Sequence, residues 1–163
     1  MRKLFVLLLT DRLNALRRGR DMGLLERLFR STRGRGVVAG DNAFELQVDT
    51  LRHQTALEGI CGMRRRDGTH HYCGALLASP STSRHERHAV AVMAYGIEVG
   101  LLDPENASDF LRALRKGRYT DAACEALIVG GWDRGGHDRG TFGVRLNAQM
   151  PLKLFPAKEW HPR

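Results

Sequence analysis

The 163-residue chain is poor in cysteine (three), in proline (five) and in aromatic side chains (7%). Three cysteines, Cys61, Cys73 and Cys124, cannot staple a small secreted domain through paired disulfides, and they fit a reducing, cytoplasmic setting. Long apolar runs are also missing near the start. The stretch Leu4-Phe5-Val6-Leu7-Leu8-Leu9 has six residues, whereas about 20 are needed to span a bilayer. Thr10-Asp11-Arg12 follows at once, with no small-residue cleavage site, so neither a membrane span nor a secretory signal is expected. What is present is enough apolar material, 42%, to rule out a wholly disordered chain, and a length that suits one domain with a tail.

Acidic residues are outnumbered 18 to 26, which leaves a formal net charge of +8. The excess is uneven. Residues 1–42 hold ten basic and four acidic side chains (10 − 4 = +6), and the other 121 residues hold 16 and 14 (16 − 14 = +2). Leu13, Leu16, Leu24, Leu25, Leu28 and Phe29 recur at helical spacing on either side of Arg17-Arg18-Gly19-Arg20-Asp21. This predicts a basic N-terminal extension of two short amphipathic helices, which would dock on the domain, on a second copy or on a protein partner, with an anionic membrane surface or nucleic acid as the alternatives. Residues 30–42 concentrate Gly, Ser and charge and read as a linker, and residues 150–163 read as a C-terminal tail.

From 43 to 149 the pattern is mainly β with short helices. Phe44, Leu46 and Val48 alternate with Glu45, Gln47 and Asp49, the period-2 signature of a half-buried strand. Residues 53–60 read as a short helix, and Arg64-Arg65-Arg66-Asp67-Gly68 as the tip of a hairpin. His71, Cys73, Ala75 and Leu77 share one face of the next strand. The runs 89–95 and 97–102 form a hairpin about Gly96; Asp103 then caps a helix that starts with Pro104, buries Phe110, Leu111 and Leu114, and ends in a left-handed cap at Gly117. A nearly fully buried strand covers 123–129, a glycine-rich loop with Trp132 covers 130–140, and a last strand runs from Thr141 to Asn147. The order of short antiparallel steps predicts an α+β, mainly β domain: a small open barrel with attached helices.

Four segments, in order, resemble a HIRAN domain. They are Val48-Asp49-Thr50-Leu51-Arg52-His53-Gln54; His85-Glu86-Arg87-His88-Ala89-Val90-Ala91-Val92; Gly96-Ile97-Glu98-Val99-Gly100-Leu101-Leu102 before a helix; and Gly130-Gly131-Trp132-Asp133-Arg134 with Gly140 to Leu146. The resemblance covers about residues 43–149 and is to bacterial stand-alone versions. It implies an OB/SH3-like barrel that acts as a non-enzymatic accessory module on single-stranded DNA or DNA 3′ ends in repair or replication. In that family aromatic rings stack bases and a carboxylate sits near the terminal hydroxyl. Carried over by position, the aromatic pair after the first strand falls on Arg52 and His53, the tyrosine and carboxylate of the later element fall on His85 and Glu86, and the proline before them falls on Arg84.

Arg64, Arg65 and Arg66 form the densest basic run of the domain and are candidate phosphate contacts. Two other readings stand beside DNA binding. One is a protein-interaction domain that keeps the barrel and contacts its partner through the N-terminal helices. The other is zinc binding by some of Cys61, His70, His71, Cys73, His85 and His88, whose spacings lack the paired Cys-x2-Cys or His-x3-His elements of structural sites. No cofactor is implied. No phosphate loop, nucleophile elbow or spaced catalytic triad occurs, so no enzyme is expected.

Overall fold

The computed structural model describes residues 34–79 and 88–157. They form strands β1 (Arg35–Val38), β2 (Leu46–Val48), β3 (Thr69–Ala78), β4 (Ala91–Ala94), β5 (Ile97–Leu101), β6 (Asp121–Gly130), β7 (Phe142–Leu146) and β8 (Leu154–Pro156). Helix α1 (Gln54–Cys61) follows a 3-10 turn at Leu51–His53, and α2 (Pro104–Gly117) lies between β5 and β6. The class is mainly β, as expected.

The sheet runs β2-β7-β6-β3-β4-β5 and is antiparallel along that path. It curls until its edges meet. Asp49, directly after β2, and Leu101, ending β5, exchange two backbone hydrogen bonds of 2.9 and 3.0 Å, so one bridge pins an otherwise open barrel. Gly100 permits that approach, because a Cβ there would lie 2.5 Å from both the Asp49 carbonyl oxygen and a Val48 methyl. β2 is only three residues long, and beyond it the chain turns into α1, whose Leu57 is fully buried in the core. β3 and β6 pair along ten residues, with His71, Cys73, Ala75 and Leu77 facing inward opposite Ile128, Ala126, Cys124 and Ala122.

Local chemistry explains the turns. Tyr95 and Gly96, at φ 52° and 77°, close the β4–β5 hairpin in two residues, the left-handed pair that matches strand twist. Farther along, Val92 pairs Gly100 while Met93 pairs Glu98, which leaves Val99 as the extra, inward and fully buried residue of a bulge. Asp103 caps α2 by accepting from the backbone N–H groups of Glu105 and Asn106, with Pro104 at the first helical position. Ala107, Phe110, Leu111 and Leu114 then pack on the core.

Several sequence expectations are corrected. Residues 30–42 are no mere linker: β1 lies within them, parallel to β6, and Val37 is 1% exposed. The supposed tail supplies β8, antiparallel to β1, so both segments belong to the sheet that the 43–149 boundaries cut through. Asp67-Gly68 turns the chain, with Gly68 donating to the Arg65 carbonyl, but it joins no two strands and is not a hairpin tip. The left-handed cap of α2 is Arg118 at φ 57°; Gly117 is instead where the Tyr119 ring packs too closely for any side chain. The two predicted N-terminal helices fall outside the described residues.

Candidate nucleic-acid interface

Arg52 and His53 sit on the 3-10 turn that leaves β2. The turn is fastened to β7. Thr50 Oγ1 donates to the Phe142 carbonyl (2.9 Å), and the Gln54 amide both donates to that carbonyl (2.9 Å) and accepts from the Phe142 N–H (2.8 Å), completing the strand edge as a neighbouring strand would. Arg52 is exposed. His53 turns the other way, its Nε2 3.0 Å from Glu98 Oε1 on β5, while its Nδ1 is buried with no hydrogen-bond partner. The imidazole expected to be a stacking ring is thus engaged as a brace between the 3-10 turn and the hairpin.

The arginine run follows α1 at its other end. An eight-residue helix is about 12 Å long, so Arg52 and the run do not form one cluster. Arg64 is structural: it pairs with Glu58 (3.3 Å), donates to the Gly140 carbonyl and lies over the Phe142 ring at 5.5 Å. Arg65 is pinned by its backbone, donating to the Gly131 carbonyl (3.2 Å) and accepting from the Asp133 N–H (3.0 Å). The side chains of Arg65 and Arg66 are exposed, and among the described residues neither makes an ion pair. Arg84, His85 and Glu86 lie outside the described residues.

The glycine-rich loop is braced by its own charges. Trp132 Nε1 donates to Asp138 (2.9 Å), Arg139 pairs with Asp133 (3.1 Å), and Arg134 reaches both Asp138 and the Arg66 carbonyl. Trp132 packs on Gly140, where any side chain would collide with its ring, so it holds the loop together.

Thiol chemistry is suppressed in this environment. Burial pushes the Cys61 thiol up to about 11 against the opposing pull of Arg65, and burial followed by the Glu125 charge raises Cys124 further. Both are neutral at physiological pH, which disfavours them as nucleophiles and as metal ligands. Among the described residues no three His, Cys, Asp or Glu side chains come together to hold a metal ion. His70 faces out from β3, Cys73 faces in, and His71 is 2.7 Å from the Tyr95 hydroxyl.

Two features escape the sequence reading. Glu98, the partner of His53, lies 45 residues away and carries no local signal. Tyr72 is 63% exposed on the outer face of β3, with its ring 5.5 Å from that of Phe44. The signal for Tyr72 is an aromatic at a solvent-facing position of an alternating strand. No family model matches the chain, and neither a curated protein nor a solved structure is significantly similar to it.

Proposed function

We propose that this protein is a non-enzymatic module that binds single-stranded DNA or DNA 3′ ends, as the HIRAN resemblance implies, and that the described residues contribute contacts to the DNA phosphates. One observation carries the reading: the turn at Arg65 and Arg66 is fixed to the 130–140 loop by main-chain hydrogen bonds and presents two guanidinium groups that find no carboxylate partner among the described residues. A held, unneutralised pair of guanidiniums at a barrel rim suits phosphate oxygens, and each phosphate neutralised releases condensed counterions. Arg52 supplies a further cation at the opposite end of α1.

The test is a fluorescence-anisotropy titration of a labelled oligonucleotide over a range of salt. Binding is expected to weaken with salt, and Arg65→Ala/Arg66→Ala should reduce the slope of log K against log salt by about 1.4, at roughly 0.7 per phosphate lost. No binding at low salt, or an unchanged slope in the double variant, defeats the proposal. A weaker complex with a 3′-phosphorylated oligonucleotide would add the end preference that the resemblance implies for His53, Arg84, His85 and Glu86.

A further inference from the structure

The outer face of the sheet carries groups that nothing in the backbone-binding reading uses. Register places Tyr72 of β3, Leu127 of β6, Arg145 of β7 and Gln47 of β2 in one row across four strands. His70 stands two residues before Tyr72 on the same face, about 6.6 Å away, and β3 leads back directly to the Arg65-Arg66 turn. Tyr72, His70 and Arg145 are exposed. Glu125, the carboxylate that β6 adds to this face, is directed to the Asn147 amide by a 2.7 Å hydrogen bond, and Asp67 lies at the turn itself.

A single exposed tyrosine is ordinary, but this one is positioned. Phe44 adopts φ 51°, a left-handed conformation that bulky side chains rarely take, and its ring meets that of Tyr72 at 75° in an edge-on contact. The chain thus holds a strained residue where it braces the tyrosine from the side and leaves the ring largely open to solvent. A braced, open ring with a guanidinium in the same row of a small β-barrel suits sequence-tolerant binding of unpaired bases.

We propose that Tyr72, braced by Phe44, is a stacking platform for unpaired nucleobases, with His70 and Arg145 meeting the adjoining phosphates. The proposal rests on the backbone-binding reading and deepens it, since stacking on a flat ring selects single strands over duplex, whose bases are already stacked. It assigns the bases to a face distinct from His53.

The experiment uses the full chain and two labelled oligonucleotides of equal length, one oligothymidylate and one abasic, which share their phosphates and differ in their bases. The protein is expected to prefer oligothymidylate by roughly five- to hundredfold, the range of a stacking contact. Tyr72→Ala should remove that preference and leave abasic binding within about twofold, whereas Tyr72→Trp should keep it and so separate loss of the ring from loss of the fold. Arg65→Ala/Arg66→Ala should weaken both ligands alike. Equal wild-type binding of the two oligonucleotides, or full preference in Tyr72→Ala, overturns the platform alone. Binding of neither at low salt overturns the backbone reading, and the platform falls with it.

Discussion

Asp103 does two tasks with one carboxylate. It ends the extended chain after β5, and it accepts hydrogen bonds from the N–H groups of Glu105 and Asn106, which the first turn of α2 would otherwise leave unpaired. The Asn106 side-chain amide, and then the Asn106 backbone N–H, hold its carboxyl below the usual range. The folded protein therefore binds this proton less tightly than the unfolded chain does. The contribution to stability is complete above about pH 4 and is lost as the pH falls through the lowered folded value. Asp103→Ala should cost about 1 kcal/mol in urea denaturation at pH 7, and the gap between variant and wild type should narrow as the pH falls below about 4. A gap that stays constant across this range would mean that the cap does not act through its charge.

At the scale of elements, the barrel depends on where its edges touch. Gly100 sits opposite Asp49 with no room for a Cβ, and the contacting atoms are backbone oxygen and a buried valine, neither of which yields easily. Gly100→Ala should destabilise by about 1–3 kcal/mol, read from urea midpoints, whereas Gly59→Ala on the open side of α1 should be neutral or slightly stabilising. Equal stability of the two variants would show that the seam is not closed in solution. The hairpin at Tyr95-Gly96, the Asp103-Pro104 helix start and the alternation on β3 were legible because each is set by residues close in sequence. β1 and β8 were not. Arg35-Gly36 reads as linker, yet Gly36 is glycine because the Tyr119 ring lies 2.9 Å from where its Cβ would be, and its pairing partner on β6 is more than 80 residues away. The candidate interface follows the same rule. The arginine run is visible as composition, but which of its members is free depends on Glu58, Gly140 and Phe142, and the value of Tyr72 depends on a neighbour 28 residues earlier.

For the whole molecule, the described residues carry 13 basic and 13 acidic side chains (13 − 13 = 0), so the entire excess of +8 lies outside them. Residues 1–33 alone contribute nine basic and three acidic groups (9 − 3 = +6). The proposed long-range attraction to a polyanion and the proposed recognition by the sheet face are therefore separable. A chain beginning at Gly34 should lose overall affinity and salt dependence while keeping the ratio of oligothymidylate to abasic binding; a ratio that falls to one would move recognition into the extension. The cut must stop there. Removing residues 1–42 also takes β1, with buried Val37 and Val38, the Arg35–Asp121 ion pair at 2.5 Å and the Asn42–Asn147 hydrogen bond of 2.8 Å. At about 1.5–3 kcal/mol for each buried valine, the longer deletion should be less stable than the shorter by roughly 3 kcal/mol or more. Urea denaturation of the two truncated chains side by side measures that difference. Coincident midpoints would show that β1 is dispensable and return residues 34–42 to the role of a linker.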